Sequence, residues 1–84
     1  MTTTIDISLY PLNNDYPSSV LAFLEKLKSI PGIELQTNGM STHLIGPFSE
    51  LWPALGSLME AEMLHEDCVF VLKTAPGRTE YVGQ

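Results

Sequence analysis

Asn38-Gly39-Met40-Ser41-Thr42-His43-Leu44-Ile45-Gly46-Pro47-Phe48-Ser49-Glu50-Leu51-Trp52-Pro53 joins a tight turn, a short polar strand and the start of a helix. Asn38-Gly39 is a strong hairpin signal, because both residue types accept the positive φ that compact turns require. Met40 to Pro47 follows as a strand. Side chains alternate faces along it, so Thr42, Leu44 and Gly46 share one side and Ser41, His43 and Ile45 the other. Both faces therefore receive polar groups. Phe48 leads into a helix for which Ser49 is the expected N-cap and Glu50 a favourable first-turn acid. Pro53 then falls inside that helix, predicting either a later regular start near Leu51 or Trp52, or a kink.

Upstream of this stretch, Ile33, Leu35 and Thr37 alternate with Glu34, Gln36 and Asn38 in a strand that must pair antiparallel with the one after the turn. Before it, Val20, Leu24 and Leu27 at i, i+4, i+7 predict a helix from Pro17 to about Ser29, with Leu21, Phe23 and Ile30 widening its apolar stripe. Pro17 suits a first helical turn, and Pro31-Gly32 ends the element. The chain opens on Thr3 to Leu12, where Ile5, Ile7 and Leu9 alternate with Asp6, Ser8 and Tyr10. Ser8 and Tyr10 give that polar face hydroxyls and an aromatic ring on which a flat heterocycle can stack.

Downstream, Leu51, Leu55 and Leu58 form the buried stripe of the second helix, with Trp52, Met59 and Met63 beside it. Asp67 to Ala75 is the last strand. Cys68, Phe70 and Leu72 lie on one side and Val69, Val71 and Lys73 on the other, so both faces are expected to be at least partly covered. Residues 1–75 thus form one domain and 76–84 a tail without periodicity, free or held against a neighbouring subunit through Tyr81 and Val82.

The element order β-α-β-β-α-β is the split βαβ pattern of an α+β, ferredoxin-like sandwich. Right-handed crossovers place the first and third strands at the centre of a four-stranded antiparallel sheet, with two helices on one face. The opposite face is then open. Ile45, Tyr10 and the apolar residues of the last strand are poor candidates for exposure there, which predicts self-association through the sheet.

Composition narrows the function. Ten carboxylates oppose Lys26, Lys28, Lys73 and Arg78 in 84 residues, a formal charge of −6, which argues against nucleic acid as a partner. A single cysteine, the absence of a signal-type apolar run and the shortness of all apolar stretches predict a cytoplasmic protein outside the membrane. Glu62, His65 and Cys68 stand among Glu60, Glu66 and Asp67, but without a tight His or Cys repeat they predict a solvated acidic helix end and no metal centre. Ser41 and His43 share a strand face, yet no acid is placed by sequence to orient the imidazole, so nucleophilic catalysis is not expected. Among jobs done on this fold, metal chaperoning lacks paired cysteines and acylphosphatase chemistry lacks an N-terminal arginine. A binding or regulatory domain remains, and no cofactor is implied.

Two phrases carry a resemblance. Ile7-Ser8-Leu9-Tyr10-Pro11-Leu12 with Asp15-Tyr16, and Gly39-Met40-Ser41-Thr42-His43-Leu44-Ile45-Gly46, resemble the signatures of the thiamine-binding, YkoF-like superfamily. The likeness spans the first strand to the second helix and fits a single-domain member; the tail after Ala75 does not align with it. It implies a ferredoxin-like domain that pairs through its sheet into dimers or tetramers and binds thiamine or its hydroxymethylpyrimidine moiety. An aminopyrimidine needs a stacking surface and a few hydroxyl, amide or carboxylate partners. Ser8, Tyr10, Asn38, Ser41, Thr42 and His43 supply these, and a thiazolium cation would favour Trp52 and an acidic protein. If the pocket lies between helices and sheet, Thr42 and Trp52 lead; if it lies between paired sheets, Ser8, Tyr10, Ser41 and His43 lead. The competing expectations are an assembly or regulatory module whose polar face serves only its own interface, and an amino-acid effector domain.

Overall fold

A computed structural model describes residues 1–13, 16–37 and 41–78. Its elements are β1 (Thr2–Pro11), α1 (Tyr16–Lys28), β2 (Glu34–Thr37), β3 (Thr42–Pro47), α2 (Phe48–His65) and β4 (Cys68–Pro76). The four strands form one antiparallel sheet in the order β2-β3-β1-β4, so the ferredoxin-like α+β sandwich is the fold. Asn38 and Gly39, the expected turn, lie outside the described residues, but the antiparallel pairing of β2 with β3 is the one a short hairpin produces. No described helix is long and apolar enough to cross a membrane.

Register explains which residues meet. Ile5 lies opposite Leu44 on β3, and Ile7 opposite Leu72 on β4. These side chains point toward the helices and join Leu9, Phe23, Leu27, Leu51 and Leu55 in the core. Ile5, Leu27, Leu44, Leu51 and Leu55 are fully enclosed, and each contributes about 1.5–3 kcal/mol by leaving water. Phe23 and Phe70 pack at 5.1 Å between ring centroids, tying α1 to β4. Leu21, expected to widen the α1 stripe, is instead 62% exposed, because the sheet contacts only the narrower face carrying Phe23 and Leu27.

The second helix starts differently from its expected form. Pro47, in extended backbone, is the N-cap and makes no side-chain capping bond; Ser49 is already helical. The Phe48 N–H, one of the donors a helix start leaves unpaired, donates to the Met1 carbonyl at 2.8 Å, so the chain's own beginning caps the helix. Pro53 sits within a continuous helix. It is exposed, and the Ser49 carbonyl it deprives of a partner lies on an exposed residue that water can reach.

The face away from the helices carries cross-strand rows. One row runs Glu34, Ile45, Thr4, Ala75; the next Gln36, His43, Asp6, Lys73; beyond them come Ser8 beside Val71 and Tyr10 beside Val69. Ile45 was expected to need a second copy to cover it, yet it is only 4% exposed in the single chain. The tail supplies the cover. The Gly77 N–H donates to the Thr2 carbonyl, Thr4 Oγ1 donates to the Gly77 carbonyl, and the Arg78 guanidinium makes a paired contact with Glu34 at 2.8 and 2.6 Å. Arg78 follows the outermost strand on one side and Glu34 lies in the outermost strand on the other, about 14 Å away at three strand spacings. The tail start therefore crosses the first row and leaves the others open. Val69 and Val71 remain about half exposed, so the second face of β4 is only partly covered in the single chain. Tyr81 and Val82 lie outside the described residues.

Candidate functional site

Pairing between β1 and β3 ends at Ile7 and Thr42, whereas β1 continues beside β4 to Pro11. This mismatch in strand length opens a cavity of about 160 Å³ between the sheet and α1. Its floor is apolar, made by Ile7, Leu9, Phe23, Leu24 and Leu27. Its polar edge is Ser8, Ser41 and Thr42, and the rings of Tyr10 and Tyr16 stand at its rim. Residues of both β1 faces border it, which is possible only because the cavity runs past the end of β3 rather than lying wholly beneath the sheet.

Four of the residues expected at a site, Ser8, Tyr10, Ser41 and Thr42, are thus brought together. Thr42 is 7% exposed and its side chain points to the helix layer, in the same face as Ile7. Its hydroxyl has no hydrogen-bond partner among the described residues. A polar group on so largely buried a residue, opening on a cavity, is normally paired by water or ligand.

His43, Trp52 and Asn38 are not part of this cluster. His43 faces the open side of the sheet, with Nε2 3.8 Å from Asp6 Oδ1 and Lys73 one strand further on. Asp6 is the acid that could not be located from sequence, since only the cross-strand register puts it beside His43; its Oδ1 is buried without a hydrogen bond. Trp52 lies in α2, packed against Phe48 at 6.1 Å between ring centroids and against the core, and takes no part in lining the cavity. Its position one residue after Leu51 sets it beside the buried stripe of α2. Asn38 lies outside the described residues. The alternatives set by sequence therefore combine: the cavity is on the helix side, with Thr42, but its partners are Ser8, Tyr10 and Ser41 rather than Trp52.

Sequence reasoning missed α1 as a cavity wall, treating Val20, Leu24 and Leu27 as packing alone. It also missed Glu62. That residue continues the spacing Leu51, Leu55, Leu58, Glu62 (i, i+4, i+7, i+11), and it is 3% exposed rather than part of a solvated end. Its carboxyl is held above the ordinary range, first by its hydrogen bond to Glu66 and then by burial. The Glu66 carboxyl is correspondingly held low, chiefly by that same bond. A proton shared by the two carboxyls therefore sits preferentially on Glu62, and Lys26 Nζ stands 3.7 Å from Glu62. Glu66 also accepts from Ser19 Oγ at 3.1 Å and from Asn13 Nδ2. This cluster fastens the first turn of α1, next to the cavity wall, to the end of α2. Burial and neighbouring carboxylates push the Cys68 thiol up, keeping it a poor nucleophile.

Comparison with known proteins agrees on architecture. No family model matches the chain, and no curated protein matches it. Solved structures do. Protein SP2199 of Streptococcus pneumoniae superposes with a TM-score of 0.82 at 20% identity, over 93% of this chain and 89% of that one. TM0486 of Thermotoga maritima, whose proposed role is thiamine biosynthesis or salvage, gives 0.78 at 19% identity, over 88% and 82%. A domain of unknown function, DUF77, from Bacillus cereus gives 0.74 at 19% identity, over 98% and 82%. At these identities the likeness defines the ferredoxin-like fold.

Proposed function

We propose that this chain is a non-enzymatic binding protein for thiamine or its hydroxymethylpyrimidine moiety, held in the cavity between α1 and the ends of β1 and β3. The observation that carries the reading is the hydroxyl of Thr42, a residue 7% exposed and without a side-chain partner among the described residues, at the wall of a cavity with an apolar floor, further hydroxyls and two tyrosine rings. A flat ring with nitrogen acceptors and an amine donor matches that combination of stacking surface and sparse polar groups. The proposed thiamine role of TM0486, a protein of the same fold, is consistent with it. Calorimetric titration with hydroxymethylpyrimidine and with thiamine is the test; absence of heat from both would remove the reading.

Self-association into a dimer or tetramer through the open sheet face belongs to the same proposal. Tyr10, Val69 and Val71 are each 45–47% exposed and adjacent on that face, which favours a second copy as their cover. The same observation supports the alternative of an assembly or regulatory module with no thiamine-related ligand. Sedimentation velocity at micromolar concentration tests association independently of titration, and a strict monomer would refute it.

A further inference from the structure

We infer that the cavity is selective for an unphosphorylated ligand of single-ring size, so that binding precedes any phosphorylation of that ligand. The inference rests on the binding reading above and narrows it.

A phosphate group is recognised by cations, by hydrogen bonds to its oxygens, or by the N–H groups at a helix start. The sequence holds four Lys and Arg residues in all, and each has a described position. Lys26 stands beside Glu62 at 3.7 Å, and Lys28 beside Glu25 at 3.1 Å. Arg78 grips Glu34 at the far end of the sheet, on the face away from the helices. Lys73 lies on that same open face, opposite Asp6. Neither they nor His43 and His65 line the cavity. Hence no cationic side chain is available there to meet a phosphate.

The helix start beside the cavity offers no substitute. α1 begins at Tyr16, Pro17 lacks an N–H, and the Glu66 carboxylate already stands beside the first turn, where it accepts from Ser19 Oγ. A phosphate brought to Tyr16 would meet that carboxylate in a protein of net charge −6. Size points the same way. A cavity of about 160 Å³ is well below the roughly 300–1,000 Å³ that encloses drug-sized ligands, and matches one ring with small substituents.

Titration of the wild-type protein with hydroxymethylpyrimidine and with its phosphate monoester, at low and at moderate salt, tests this. The alcohol is expected to bind about 100-fold or more tightly than the ester, since the ester brings charge to a site without compensating cations. The second arm is Ser41→Arg, which sets a guanidinium at the half-buried cavity edge. It is expected to raise ester affinity at least about 10-fold, in a salt-sensitive way, with folding checked by its urea transition. Equal or tighter binding of the ester by wild-type protein overturns the selectivity and leaves the binding reading standing. Heat from thiamine but from neither of these compounds overturns the single-ring selectivity alone, and no heat from any of the three overturns both.

Discussion

Replacing Thr42 by valine exchanges one hydroxyl for a methyl of nearly the same shape, and the structure predicts opposite effects on folding and on binding. In the free protein the hydroxyl is on a residue 7% exposed and has no partner among the described residues. Its removal therefore breaks no internal bond and relieves the cost of holding a polar group out of bulk water. That cost is about 1–3 kcal/mol for a fully dry site, and access to the cavity reduces it here to roughly 0–1 kcal/mol. Valine also suits a strand. Thermal unfolding should thus be unchanged or rise, by up to about 4–8 °C if the full 1 kcal/mol is realised in a domain of this size. Binding should move the other way. A neutral hydrogen bond from Thr42 to the ligand is worth about 0.5–1.5 kcal/mol, which weakens Kd by about 2- to 13-fold on its loss. Calorimetry of ligand binding and a melting curve on the same sample give both numbers. A drop in stability beyond about 1 kcal/mol would mean that the hydroxyl already has an internal partner, and an unchanged Kd would mean that it does not face the ligand; either result refutes the reasoning.

The Glu62–Glu66 pair makes stability depend on pH in two directions. Glu62 is raised, so the stability linked to its proton is complete at low pH and is lost as pH rises through its folded value, with a slope of at most about 1.4 kcal/mol per pH unit. Glu66 is lowered, so its contribution exists at higher pH and is lost as pH falls through its folded value. Glu62→Gln keeps an N–H donor toward Glu66 and cannot ionise; urea unfolding from pH 3 to 8 should lose the alkaline-side decline and keep the acid-side one, and an identical alkaline decline in the variant would contradict this. Val71→Glu places a carboxylate on the open face opposite Ser8. It should convert an assembled protein to monomer in sedimentation while changing monomer stability by no more than about 0.5 kcal/mol. Gly46→Ala is expected to destabilise by about 1 kcal/mol in urea, because its added methyl would sit 3.0 Å from Ile33 Cγ2 in a buried position.

Most of the architecture was legible from local pattern. The period-two runs of β1 and β4, the 3.6-residue stripe of Leu51, Leu55 and Leu58, and the turn and stop residues act on neighbours in sequence. Element order then leaves few right-handed arrangements, which is why the centre of the sheet could be read in advance. The failures came where local chemistry competes with distant groups. Ser49 is a good capping residue, but the Met1 carbonyl reaches the helix start first. Glutamate is an acidic residue type, so its place on the apolar stripe is not read from local pattern; its burial is accompanied by a hydrogen bond to Glu66 and by Lys26 at 3.7 Å, both supplied from elsewhere in the fold.

The site divides in the same way. Alternation along single strands determined that Ser8 and Tyr10 share a face and that Thr42 turns opposite to His43, because side-chain direction on a strand follows from backbone geometry alone. The amino-acid sequence also determined the scarcity of cations, and with it the kinds of ligand that can be refused. Only the tertiary structure decided that β1 outruns β3, that α1 closes the resulting gap, and that Arg78 crosses the sheet to cover Ile45. Those outcomes depend on pairing register and on contacts between residues far apart in the chain, where the energy of each encounter exists only once the whole sheet has formed.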